Sequence, residues 1–75
     1  MKPESQLNRQ VGGDHYKHMS IQPVEFCYAN QTPFIEGTVI KYICRWRKKN
    51  GIEDLLKAKH FLEMLIEFAE AEAKP

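Results

Sequence analysis

Three points of punctuation leave this chain little room for anything but short helices: Pro23, the pair Thr32-Pro33, and the pair Asn50-Gly51. Proline suits the first turn of a helix, where its fixed φ is already correct and its missing N–H has no partner to lose. Asn-Gly suits a helix end, since both residues tolerate left-handed backbone. Each segment between these marks repeats apolar residues at helical period. The first is expected to run from Pro23 to about Asn30, with Val24, Cys27 and Tyr28 on one face. The second opens with Thr32 as cap and Pro33 in first position, and carries Ile35, Val39, Tyr42, Ile43 and Trp46. Lys48 and Lys49 would fall in its last turn, where cations suit the helix dipole. The third runs from about Ile52 to Ala71 on a stripe of Leu55, Ala58, Leu62, Leu65 and Ala69, widened by Phe61, Ile66 and Phe68. Nothing alternates long enough to require a strand, although residues 16–22 could make a short extended piece. The expected fold is all-α: a flexible segment over 1–10, then a single three-helix domain over 11–72 that begins with a glycine-containing loop.

Seventy-five residues allow one domain and a thin core. Chains this small are usually stabilised by disulfides, a metal or self-association. Cys27 and Cys44 lie in apolar, helix-like stretches and read as free thiols of a core. His15-x-x-His18 with Cys27, Cys44 and His60 lacks any C-x-x-C pair, so no metal site is expected. No signal-peptide pattern and no run of 18 apolar residues occurs, which predicts a cytoplasmic protein without a membrane partner. Self-association remains. The stripe of the third helix is broad for a helix with two partners in its own chain, so a homo-oligomer is expected.

The formal net charge is only +1, but the charges are not evenly spread. Lys41, Arg45, Arg47, Lys48 and Lys49 form a basic middle, and Glu63, Glu67, Glu70 and Glu72 an acidic end. Lys41, Arg45 and Lys48 share one face at i, i+4, i+7, and three cations on a rigid face can neutralise a phosphate chain. The same pattern also describes a solvated polar face. The loop Gly12-Gly13-Asp14-His15-Tyr16-Lys17 could cradle an anion on its backbone N–H groups, with Tyr16 stacking on a base. It could equally be a turn whose Tyr16 packs inward. It is not a P-loop, because no G-x-x-x-x-G-K-[ST] occurs. Glu36, Glu53 and Asp54 fall in first helical turns, where the dipole favours acids.

Four blocks in order carry a resemblance: Val11-Gly-Gly-Asp-His-Tyr-Lys, Ile21-Gln-Pro-Val-Glu, Phe34-Ile-Glu-Gly-Thr-Val-Ile-Lys-Tyr-Ile-Cys-Arg, and Lys49-Asn-Gly-Ile-Glu-Asp-Leu-Leu-Lys-Ala. Over roughly residues 10–68 the chain resembles a widespread family of small phage proteins, described as uncharacterised or as nucleotide kinase-like. The resemblance implies a phage or prophage gene acting in the host cytoplasm. One branch, in short-tailed coliphages, is a P-loop-free kinase of deoxynucleoside monophosphates. It has extra N-terminal sequence and a shorter Ser-His-Tyr loop, both unlike this chain. The carried-over positions are Gly13, Asp14, His15, Tyr16, Lys41, Tyr42, Arg45, Lys48 and Asp54.

Three functions follow as expectations. The first is nucleotide binding with phosphotransfer to a nucleoside monophosphate, which would need Mg²⁺ with ATP. There Asp14 or His15 would orient the attacking phosphate, and Gly13, Tyr16, Lys17, Lys41, Tyr42, Arg45, Lys48 and Asp54 would hold the nucleotide. The second is a non-catalytic oligomer that sequesters a host nucleotide signal, such as a cyclic nucleotide, against antiphage defence. The third is a DNA- or host-protein-binding module built on a helix–turn–helix outline, with nucleic acid the less favoured partner.

Overall fold

A computed structural model of the chain describes residues 5–9 and 16–74. Helix α1 spans Pro23–Asn30, α2 Phe34–Arg45 and α3 Ile52–Ala73; 3-10 turns cover Gln6–Asn8 and Trp46–Lys48. The fold is all-α, as the punctuation predicts. The extended piece considered for 16–22 is instead a turn closed by Met19 N–H donating to the Tyr16 carbonyl at 3.1 Å.

Pro23 is the first residue of α1, and the Glu25 carboxylate reaches back to accept from the Gln22 N–H at 3.0 Å. That satisfies one of the donors a helix start leaves open. The Gln22 side chain donates to the Leu7 carbonyl and so ties the N-terminal 3-10 turn to α1. The helix stops where Gln31 turns left-handed at φ 52°, and Thr32 N–H closes onto the Cys27 carbonyl at 2.9 Å. The packed face differs from the one expected. Tyr28 is 89% exposed and Val24 is also exposed, because α1 has only eight residues and docks through Pro23 and Cys27. It comes close to α2 at Gly37, where an added Cβ would stand 3.3 Å from the Cys27 Sγ.

Helix α2 begins one residue later than predicted. Pro33 is the N-cap, and the Thr32 side chain makes no capping bond. The helix also ends earlier, at Arg45, and the chain tightens into the 3-10 turn that holds Lys48. Gly51 then reverses the chain with φ 59° and ψ −131°, its N–H donating to the Trp46 carbonyl at 2.8 Å. This is not the left-handed cap expected of Asn-Gly; Gly51 is the N-cap of α3. Side chains do not adopt that φ/ψ region readily.

The reversal lays α2 and α3 side by side and antiparallel. Arg45 meets Asp54 near the turn, and further along Tyr42 stacks on Phe61 with ring centroids 6.1 Å apart. Where the helices touch, Ala58 is 3% exposed; with Pro23 at the start of α1 it makes up the buried apolar residues among those described. Cys27 is half-buried and Cys44 exposed, both unbridged, so the core position expected for Cys44 is not found. Among the described residues no helix is long and apolar enough to cross a membrane.

The chain therefore folds around a thin seam. Its Cα radius of gyration is 15.1 Å, against about 11 Å for a compact domain of this length. It exposes 6251 Å², against about 4,800 Å² for a folded monomer of its mass. Because the hairpin hinges on Gly51, Gly51→Ala is expected to destabilise the fold by about 1–3 kcal/mol. Urea denaturation at fixed protein concentration checks this, and an unchanged midpoint would show that the reversal tolerates a side chain.

Candidate functional site

The Arg45–Asp54 pair anchors the site. Asp54 is wholly buried, with 0% exposure, at the first turn of α3. Its carboxylate accepts from Arg45 Nε at 3.1 Å and Arg45 Nη2 at 3.2 Å, a two-pronged contact. It also accepts from the Asn50 backbone N–H and side-chain amide, both at 3.3 Å. Burial alone would raise the Asp54 pKa. The hydrogen bonds from Arg45 and Asn50 outweigh it and leave the carboxyl below its usual range. Arg45 is held fully charged, first by its hydrogen bonds to Asp54.

Tyr16 reaches this pair from the segment ahead of α1. Its hydroxyl is made less acidic chiefly by burial, with a hydrogen bond to Arg45 pulling the other way. Arg45 thus joins three parts of the chain: the segment at Tyr16, the end of α2 and the start of α3. Next to it the Tyr42 ring carries Arg45 Cζ and Lys41 Nζ, each 4.7 Å from its centroid, and Lys57 Nζ at 5.7 Å. Lys57 also pairs with Glu53 at 3.6 Å. Of the three cations over the Tyr42 ring, Lys41 is the one with no carboxylate within ion-pair distance among the described residues.

Lys41 stands at one end of a cleft of about 310 Å³ between α1 and α2. Pro23, Val24 and Cys27 form one wall. Phe34, Gly37, Thr38 and Lys41 form the other, on one face of α2 at i, i+3, i+4, i+7. Tyr16 and Gln22 complete the lining, which is mostly apolar. Glycine in a helix interior costs about 1 kcal/mol relative to alanine. Gly37 earns its place by letting Cys27 approach. Phe34, within that lining, is 79% exposed and offers an unburied aromatic face. A second apolar groove of about 290 Å³ runs between Ile21, Pro23, Phe26, Ile40 and Cys44.

The candidates named from sequence divide accordingly. Tyr16 and Lys41 line the cleft, while Tyr42 and Arg45 stand beside it. Asp54 has no exposed surface and acts here by holding Arg45. Lys48 leaves the line of Lys41 and Arg45 because α2 gives way to a 3-10 turn; it is exposed, as is Lys17. Gly13, Asp14 and His15 lie outside the described residues. Trp46, expected in the core, is half-buried with the Arg47 guanidinium 4.5 Å over its ring. Among the described residues no group of three His, Cys, Asp or Glu side chains could hold a metal ion. Sequence reasoning missed Phe34, Gly37 and Thr38. The signal was available: they share the helical face of Lys41, but Ile35, Val39, Tyr42, Ile43 and Trp46 form the more apolar stripe of the same segment.

A protein family described as a protein of unknown function (DUF3310) matches residues 11–63, and the chain belongs to it. That span contains α1, α2, the reversal at Gly51 and the first half of α3. Neither curated proteins nor solved structures provide a match.

The buried pair generates a pH prediction. An aspartate whose folded pKa is depressed contributes stability that is present above its unfolded value of about 3.9 and is lost as pH falls through the folded value. Asp54→Asn should remove that acid-side dependence. Asp54→Ala should cost about 3 kcal/mol at neutral pH, because it leaves Arg45 partly buried without its partner. Chemical denaturation of the three proteins between pH 7 and pH 3 measures both effects. Parallel stability curves for wild type and Asp54→Asn would contradict the assignment.

Proposed function

We propose that this protein binds a nucleotide in the α1–α2 cleft, as a phage-encoded homo-oligomer working in the host cytoplasm. The observation that carries the reading is the cleft itself: apolar walls, an exposed aromatic in the lining and the Lys41 cation at the end. A base fits against Phe34 and the apolar wall of α1, and a phosphate fits at Lys41. Base–aromatic stacking is worth about 1–3 kcal/mol per base. A volume of about 310 Å³ is at the small end of ligand sites. It suits one mononucleotide unit per cleft. The phage origin and the nucleotide class rest on the family resemblance in the sequence, with which this chemistry is compatible.

Of the two uses of such a site, sequestration is favoured over phosphotransfer to a monophosphate. Phosphoryl transfer depends on several positive groups converging on the moving phosphate. Here Arg45 is already engaged by Asp54 and Tyr16, and Lys57 by Glu53. The DNA-binding reading loses ground for a geometric reason. A helix–turn–helix sets its helices at a wide angle, whereas Tyr42 and Phe61 keep α2 and α3 side by side.

Equilibrium dialysis against nucleoside monophosphates and cyclic nucleotides, with and without ATP and Mg²⁺, tests the reading. Retention of at least one nucleotide is expected, recovered chemically unchanged after denaturation. Lys41→Ala should weaken retention by about tenfold or more, the worth of one charge-assisted hydrogen bond. New diphosphate would establish the kinase reading instead. No retention of any nucleotide would reject both.

A further inference from the structure

Helix α3 has two apolar faces, and α2 covers only one. The covered face presents Asp54, Ala58, Phe61 and Leu65 toward the hairpin. The other is a line of alternating three- and four-residue steps: Ile52, Leu55, Lys59, Leu62, Ile66, then Ala69 and Ala73. That spacing is the seam of a coiled coil, with a single lysine among apolar residues. Ile52, Leu62 and Ile66 are 66%, 45% and 48% exposed, although a seam of this kind is normally buried.

Charge decides what can lie on it. Lys59 is the one charged residue of the seam and lies in its N-terminal half, while Glu63 and Glu70 border its C-terminal half. We propose that the seam is covered by the same seam of a second copy of this chain, antiparallel about a two-fold axis. Leu62 then faces the partner's Ile66, Leu55 faces the partner's Ala73, and Lys59 faces the partner's Ala69 beside the partner's Glu70. From Leu55 to Ala73 each seam residue meets a seam residue of the partner, and each Lys59 comes beside a glutamate. A parallel pairing sets Lys59 on its own copy and glutamates on glutamates. The small residues at the acidic end let the two helices approach closely there.

The seam runs the length of α3, 22 residues or about 33 Å at 1.5 Å per residue. This inference deepens the oligomeric part of the proposed function and is independent of what occupies the cleft.

Sedimentation at micromolar concentration, with far-UV circular dichroism on the same samples, is the test. Wild type should have the mass of two chains or more. Leu62→Glu combined with Ile66→Glu should at least halve that mass with helicity retained, since both positions are exposed in the single chain. A wild type at the mass of one chain, 8.8 kDa, would overturn the proposal. So would an unchanged mass in the double variant. If that variant loses helicity, a charge exchange decides: Lys59→Glu should weaken association about tenfold, the sum of two symmetry-related repulsions. Adding Glu70→Lys should restore it, and absence of rescue rejects the antiparallel register. Nucleotide retention by a single-chain species would reject this interface and leave the cleft reading intact. An oligomer that retains no nucleotide would do the reverse.

Discussion

The fold depends on one buried carboxylate. Asp54 accepts two hydrogen bonds from Arg45 and two from Asn50, and through them it fixes the end of α2, the reversal and the start of α3 in one arrangement. Such a pair does not supply much net stability, because both charges must be stripped of water. What it supplies is a single geometry. With Ala58 the one buried apolar residue described between α2 and α3, hydrophobic packing within the chain is too sparse to fix the hairpin alone.

The same guanidinium stands beside the cleft. Arg45 lies near Tyr16 as well as bonding Asp54, so the cleft that Tyr16 lines and the close of the hairpin share one neighbourhood of the fold. The cleft forms where α1, short and docked through Cys27 at Gly37, leaves the Phe34–Lys41 face of α2 partly uncovered. Structural and ligand-facing roles are therefore divided between neighbouring cations on one helix. Arg45, a planar fork, takes the bidentate carboxylate, and Lys41, a point charge on a flexible stem, is left at the cleft.

The helices were legible because their boundaries are local chemistry. Pro23 marks the start of α1 and the Asn50-Gly51 pair the reversal before α3, and both are found where the sequence places them. The face of each helix was less legible. Tyr28 sits at helical spacing from Val24 and Cys27 yet is exposed, because an eight-residue helix offers only about two turns for docking. The basic face was half right. Lys41 and Arg45 do share it, but Asp54 draws Arg45 into the fold, and the 3-10 turn removes Lys48 from the line.

What the sequence determined alone is the all-α class, the starts of the three helices within a residue, and an apolar stripe on α3 broader than two neighbours could cover. These follow from φ preferences, capping and period, which act over a few residues. Only the tertiary structure decided that Asp54 is buried against Arg45, that Phe34, Gly37 and Thr38 wall a cleft with Lys41, and that the α3 seam stands apart from the face α2 covers. Those outcomes depend on the path of the chain through Gly51 and on how closely α1 approaches α2. Periodicity shows which residues share a face of a helix, but the fold decides what that face meets.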